Sequence, residues 1–186
     1  LQLVVYMDAA MEMLRGQHPK KEILPGGILY YHIDDPVLES DTPLSDEEAE
    51  QALLFALRPD GLVNSGEEIY RAMDQNFEGK SQMIPVEIKK NGEISTARSK
   101  VASTEEFAVV TRYVEHEIRQ CGEAIYAGNI AVNPYRSDIE TSCTYCPYAS
   151  VCGMDAKIPG YEYRQFASMK KEEVLDQMQT ELARNR

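Results

Sequence analysis

Apolar residues recur at helical spacing over residues 1–15. Leu3, Met7, Ala10 and Leu14 fall on one stripe, Val4 and Met11 widen it, and Asp8, Glu12 and Arg15 share the face left for solvent. Gly16 and Pro19 close the pattern, so a helix is expected to end there. Gln2 and Tyr6 stand at i and i+4 on that helix, which brings their polar tips side by side. Two readings of the pair stay open on these grounds: a surface Gln beside a partly buried Tyr, or a pair that serves a site.

The pattern then changes period. After Pro25-Gly26-Gly27, the run Ile28-Leu29-Tyr30-Tyr31-His32-Ile33 is rich in β-branched and aromatic residues and ends at Asp34-Asp35-Pro36, which predicts a central strand. His32 has no Cys or His at ligand spacing, so it reads as a core or edge histidine. Ser45 and Glu48 predict a capping box for a helix that reaches Arg58, with Ala49, Ala52, Leu53, Ala56 and Leu57 on its core face and Pro59 as its stop. Ser65 and Glu68 repeat the signal for a shorter helix ending near Phe77. Ile84, Val86 and Ile88 alternate with Pro85, Glu87 and Lys89 as in a strand, and Asn91-Gly92 predicts a type I′ hairpin turn.

Two stretches here imitate chemistry. Gly79-Lys80-Ser81 resembles the end of a phosphate-binding P-loop, but that loop requires Gly where this chain has Asp74, and ATP hydrolysis is excluded on that ground. Glu87-Ile88-Lys89, with Asp74 as a conceivable partner around Mg²⁺, resembles a metal-nuclease motif. A solvated hairpin face explains the same residues without chemistry.

Ser103 and Glu106 predict the cap of the longest helix, which stops at Gly128. Phe107, Val110, Val114, Ile118, Cys121 and Ile125 form its apolar seam. On that pattern Cys121 is a packed small hydrophobe, while Glu115, Arg119 and His116 belong to the exposed side. A final amphipathic helix is expected over residues 170–183, with Val174, Met178 and Leu182 aligned.

Composition narrows the class. Apolar residues make up 43% and charged residues 27% of 186, enough for one domain with a core over 1–186. A net charge of −12 repels a phosphate backbone over most of the surface, so nucleic acid is confined to a local channel. No apolar run approaches the ~18 residues of a membrane span, and no membrane partner is expected. With few cysteines and no export signal, a reducing cytoplasm is the expected compartment. The chain begins at Leu1 without an initiator Met, in mid-pattern, and a piece of a longer polypeptide is expected.

Three of the four cysteines fall within ten residues, Cys143-Thr-Tyr-Cys146-Pro-Tyr-Ala-Ser-Val-Cys152. A Cys-x-x-Cys knuckle turns two sulfurs the same way, and five intervening residues let a third return. Soft thiolates of this kind select zinc or an iron–sulfur cluster, and both normally take four protein ligands, one more than this run supplies. Tyr145, Pro147 and Tyr148 are placed to shield such a centre.

In order along the chain, Leu1-Gln2-Leu-Val-Val-Tyr6-Met-Asp-Ala-Ala10, Gly27-Ile-Leu-Tyr-Tyr-His-Ile33, Ile84-Pro-Val, Ser103-Thr-Glu-Glu-Phe107, Gly128-Asn-Ile-Ala-Val-Asn-Pro-Tyr135 and Cys143-x-x-Cys146-Pro-Tyr-x-x-x-Cys152 form a specific set. Over residues 1 to 166 the set resembles the C-terminal nuclease region of the AddB-type B subunits of bacterial ATP-dependent helicase/deoxyribonucleases (AddAB). The resemblance implies an α/β fold: the C-terminal part of a PD-(D/E)xK, restriction-endonuclease-like domain, a mixed sheet with flanking helices. It implies a heterodimer with the ATP-driven helicase–nuclease A subunit, acting on DNA ends and resecting double-strand breaks for recombination.

Residue by residue, the family's Gln-x-x-x-Tyr motif falls on Gln2 and Tyr6, in an accessory role. Its Mg²⁺-binding acids and Lys should precede Leu1, which makes these 186 residues inactive alone. Cys143, Cys146 and Cys152 match three ligands of a structural 4Fe-4S cluster whose fourth Cys is distant and N-terminal. The competing reading is a non-catalytic zinc-binding or partner-docking module using the same thiolates and a histidine. Thiol–disulfide exchange through Cys143 and Cys146 lacks the strand-to-helix setting such motifs need.

Overall fold

The computed structural model describes residues 1–33, 35–75, 77–138 and 140–184, and within them the chain forms two compact units, Leu1–Glu115 and His116–Arg186. The first unit opens with helix α1 (Gln2–Gln17), which lies against strand β1 (Gly27–Tyr30). Helix α2 (Asp46–Ala56), strand β2 (Asp60–Asn64), helix α3 (Glu67–Met73) and strand β3 (Val101–Ala102) follow. The sheet has the order β1-β2-β3, with β1 antiparallel and β3 parallel to β2. It is therefore the expected mixed sheet with flanking helices, but β1 lies at its edge and not at its centre.

The central strand is β2, which the sequence pattern hides. Its first residues, Asp60 and Gly61, follow Pro59 and read as a turn. Gly61 is required there: at φ +147° it passes so close to β1 that any Cβ would collide with the Ile28 carbonyl oxygen. The strand's value lies at its other end, where Val63 and Asn64 are buried.

Asn64 is 1% exposed and every polar atom of its carboxamide is used. Its Nδ2 donates to the Pro25 carbonyl at 2.8 Å and to Thr104 Oγ1 at 3.0 Å, while its Oδ1 accepts from the Gly66 N–H at 2.9 Å. That last bond replaces the predicted Ser65–Glu68 box: α3 starts one residue later, with Gly66 as its N-cap and no cap from its own side chain. The capping box at Ser45 forms as expected, with Ser45 N–H donating to Glu48 at 2.9 Å and Glu48 N–H to Ser45 Oγ at 3.3 Å. The predicted core face of α2 is only half-buried at Ala49, Ala52 and Leu57, and exposed at Leu53 and Ala56.

The core gathers Val63, Tyr70, Phe77, Ile84, Val86, Ile88 and Val101, with Tyr70 and Phe77 edge-to-face at 6.2 Å. The alternation at Ile84, Val86 and Ile88 is thus real, although only single bridges form, Lys80 with Glu87 and Ile88 with Ile94. The turn is not type I′, since among the described residues every positive φ belongs to glycine. Gly92 N–H donates to the Lys89 carbonyl at 2.9 Å and Lys89 N–H to the Glu93 carbonyl at 2.8 Å, with Gly92 at φ +86°. This is a three-residue loop with a left-handed final residue.

Helix α4 (Thr104–Tyr126) runs from the first unit into the second. Its predicted box forms, with Ser103 N–H donating to Glu106 at 2.8 Å and Glu106 N–H to Ser103 Oγ at 3.2 Å. Gly128 ends it at φ +72°, with Asn129 N–H on the Ala124 carbonyl and Gly128 N–H on the Ile125 carbonyl. The seam is buried at Phe107 and Val114, but Ile118, Cys121 and Ile125 are exposed. Core packing for Cys121 is therefore incorrect. Periodicity identifies the apolar face of a helix but not how far the covering core extends along it.

The second unit holds the two-stranded parallel pair β4 (Tyr135–Arg136) and β5 (Arg164–Gln165), the short helix α5 (Ala149–Cys152) and helix α6 (Lys171–Arg184). Val174, Met178 and Leu182 of α6 are half-buried.

Removing the Asn64 carboxamide leaves the Gly66 N–H and the Pro25 carbonyl without their side-chain partner in a dry site. Asn64→Leu should lower unfolding free energy by about 2–4 kcal/mol, read as a lower urea midpoint at unchanged slope.

Candidate functional site

The face that α1 turns away from the sheet carries the first candidate pair. Val4 is buried and Leu3, Met7 and Met11 half-buried, which fixes the rotation of the helix and leaves Gln2 and Tyr6 outward. Gln2 Nε2 donates to Tyr6 Oη at 2.6 Å, and the Tyr6 ring is 60% exposed. Since the phenol oxygen accepts this bond, its own O–H remains available to donate, and Gln2 Oε1 remains available to accept. The pair is a preformed two-point hydrogen-bonding unit on an open surface. Asp8, expected in solvent, is half-buried and lies with Met7, Met11, Arg15 and Arg112 along a cleft of about 380 Å³ between α1 and α4.

The two imitations resolve into structure. Ser81 is fully buried; its Oγ donates to Asp74 Oδ2 at 2.6 Å and accepts from the N–H groups of Met83 and Ile84, both at 3.0 Å. It is a turn-former, not a phosphate ligand. Glu87 takes Arg98 at 2.9 Å, and Lys89 faces Glu93 at 3.8 Å, so the two ends of the Glu-x-Lys stretch are engaged with different partners. On the neighbouring strand end, Lys100 lies 2.6 Å from Asp60; this hydrogen bond holds the Asp60 carboxyl below its ordinary pKa. His32 is exposed, just past the end of the edge strand, and among the described residues no three His, Cys, Asp or Glu are grouped to hold a metal ion.

In the second unit the cysteine segment is a loop tied at its base. Arg164 N–H donates to the Pro134 carbonyl at 2.9 Å and Phe166 N–H to the Arg136 carbonyl at 2.8 Å, while the rings of Tyr135 and Phe166 meet edge-to-face at 5.5 Å. Inside the loop, Tyr135 and Ser142 exchange backbone and side-chain bonds, and Cys146 N–H reaches the Cys143 carbonyl at 3.3 Å. Cys152 closes α5 with its N–H on the Tyr148 carbonyl at 2.8 Å, before Gly153 turns the chain at φ +66°.

Cys143, Cys146 and Cys152 are all half-buried free thiols in a segment whose other residues are mostly exposed. The three cysteines are thus less exposed than most of their neighbours in the loop. In donor type they fit a soft metal or iron–sulfur centre with one further ligand from elsewhere. They do not form a closed cage: among the described residues no three His, Cys, Asp or Glu are grouped to hold a metal ion. The expected shield is also different. Tyr145 and Tyr148 are 90% and 70% exposed, and Pro147 is exposed as well.

The residue that touches a thiol is Tyr163, twenty positions downstream and without any spacing signal in the sequence. Its hydroxyl hydrogen-bonds the Cys143 sulfur, which holds the phenol above its ordinary pKa, and the Arg136 guanidinium sits 4.4 Å over its ring. No helix among the described residues is long and apolar enough to cross a membrane.

Comparison of the sequence with known proteins identifies a family. The B subunit of an ATP-dependent helicase/deoxyribonuclease from Thermoanaerobacter sp. (strain X514) is 38% identical over 182 residues, 98% of this chain. Proteins of the same name from Lachnoclostridium phytofermentans and Clostridium botulinum (strain Hall) are 39% and 37% identical over 94% and 98% of it. The chain spans about 16% of the length of these relatives. The profile of the PD-(D/E)XK nuclease superfamily covers residues 1–153, from the Gln2–Tyr6 helix through all three clustered cysteines. With an α/β fold, a mixed sheet and flanking helices, the chain belongs to that superfamily.

Proposed function

We propose that these residues form part of the nuclease domain of the B subunit of a helicase–nuclease, which with a helicase A subunit resects double-strand DNA breaks for recombinational repair in the cytoplasm. The observation that carries the reading is the Gln2–Tyr6 pair, hydrogen-bonded at 2.6 Å and open to solvent on a helix of a PD-(D/E)XK protein. In a nuclease of this class, Mg²⁺ held by paired carboxylates polarises the scissile phosphate and activates water. Those carboxylates and their Lys belong to parts of the polypeptide outside these residues. Gln2 and Tyr6 take an accessory role: the Tyr6 O–H donates to an oxygen of the site or of a DNA phosphate, and Gln2 fixes the phenol's direction. Neither carries a proton through the reaction.

Cys143, Cys146 and Cys152 would supply three ligands to a 4Fe-4S cluster, with the fourth from a distant Cys. The cluster's contribution is a structural link that closes a long loop. The donor set supports this, since soft thiolates suit iron–sulfur chemistry and the three cysteines are half-buried within one loop.

In the assembled full-length enzyme, Tyr6→Phe and Gln2→Ala should each lower the nuclease rate, by up to roughly 10²-fold, with DNA unwinding retained. Paired rate and unwinding assays check this, and an unchanged nuclease rate in both variants would remove the accessory role.

A second expectation concerns iron. Cys146→Ser in the full-length protein should strip iron and acid-labile sulfide and bleach the visible absorbance, whereas Cys121→Ala should leave all three unchanged. Elemental analysis that finds one zinc and no iron in the wild type would favour a zinc module instead.

A further inference from the structure

The acidic excess of this chain is uneven. Residues 79–100 hold five Lys or Arg, namely Lys80, Lys89, Lys90, Arg98 and Lys100, against Glu87 and Glu93, in a chain of net charge −12. The fold explains how these cations come to be displayed. Ile84, Val86 and Ile88 are drawn into the core, and the Ser81 N–H bond to the Val86 carbonyl and the Ser95 N–H bond to the Glu87 carbonyl fold the segment on itself. The charged side chains are left on the outside.

Two clefts of the first unit border this segment. One, of about 390 Å³, is lined by Phe55, Arg58, Asp60, Arg98 and Lys100 together with Ala56, Pro59 and Pro85. The other, of about 430 Å³, includes Arg71, Phe77, Lys89 and Lys90, with Glu78. An aromatic ring steadies cations in each. Lys80 Nζ lies 3.9 Å and the Arg58 guanidinium 4.7 Å from the Phe55 ring centre, and Arg71 lies 5.0 Å from that of Phe77. A ring quadrupole attracts a cation without neutralising it, so the positive field persists. Lys89, Arg98 and Lys100 are paired with Glu93, Glu87 and Asp60, but all three cations are mostly exposed, at 51%, 73% and 61%. The Lys100–Asp60 pair is exposed on both sides and such pairs are weak, while Glu87 in the Arg98 pair is 17% exposed.

The sign of the whole chain is negative. This segment reverses it, and pairs the reversal with two clefts and ring-held cations. We propose that the 79–100 face is a ledge that binds the phosphate backbone of a nucleic-acid strand, independently of base sequence. Lys89 and Lys90 at one cleft and Arg98 and Lys100 at the other contact phosphate oxygens. Arg58, Lys80 and Arg71 set the field between them. The inference rests on the nuclease reading above and adds a strand-binding surface separate from Gln2 and Tyr6.

The test uses the assembled full-length enzyme and a fluorescent duplex with a single-stranded tail, titrated at several salt concentrations. The Lys90→Ala/Arg98→Ala/Lys100→Ala variant should bind roughly 10²-fold more weakly or worse at about 0.1 M salt. Its plot of log K against log salt should lose about 2–3 in slope, since each phosphate contact contributes roughly 0.7 to 0.9. Lys90→Ala alone, at an exposed loop position, should lose about 1. Lys20→Ala/Lys21→Ala should leave affinity and slope at the wild-type values. Unchanged affinity and slope in the triple variant, with wild type binding DNA, would overturn the ledge and leave the nuclease reading standing. Wild type that binds no DNA would overturn both. An equal loss in the Lys20/Lys21 variant, or a triple variant that keeps DNA but releases its helicase partner, would also overturn it.

Discussion

One buried carboxamide ties together the starts of three elements. Asn64, at the end of the central strand, reaches Pro25 before β1, Gly66 at the head of α3 and Thr104 at the head of α4. A polar group with no access to water must be fully paired, and any displacement of these segments would unpair it. This constraint propagates to function through short steps. Pro25 precedes β1, β1 supports α1, and α1 presents Gln2 and Tyr6. The segment from Ser81 to Val101 is shaped by a second such group, the buried Ser81 hydroxyl, which orders the turn from which the hairpin departs. Rigid polar pairing thus determines where the exposed chemistry stands.

The second unit works on a different principle. It has little buried apolar surface, and its cysteine loop depends on the two-residue clasp of β4 and β5 with the Tyr135–Phe166 contact. Such a small pairing is marginal without further support. The centre proposed on Cys143, Cys146 and Cys152 would supply that support. Tyr163, hydrogen-bonded to Cys143 and capped by Arg136, extends the sulfur environment beyond the cysteine run itself.

Much of this was legible in the sequence, and the failures have causes. The capping boxes at Ser45 and Ser103 were readable because a cap is a local bond between residues three apart. The alternation at Ile84, Val86 and Ile88 and the Gln2–Tyr6 adjacency follow from backbone period alone. The central strand β2 was not readable: Asp60 and Gly61 carry turn chemistry, and the requirement for Gly61 comes from the backbone of Ile28, far away in the chain. The edge position of β1 depends on pairing, which no local pattern encodes. Cys121 shows the same limit, since its place on the apolar stripe was correct and its burial was not. Tyr163 was missed because its partner lies twenty residues away and nothing in its own segment marks it.

On the proposed reading, these residues support a PD-(D/E)XK active site whose metal-binding carboxylates they do not contain, and Glu87 and Lys89 are not its metal-site pair. The most direct test incubates the 186-residue chain with linear duplex DNA, Mg²⁺ and ATP, beside the full-length enzyme. The account predicts cleavage by the full-length enzyme and none by the chain. Cleavage by the chain that disappears in Glu87→Ala would contradict it.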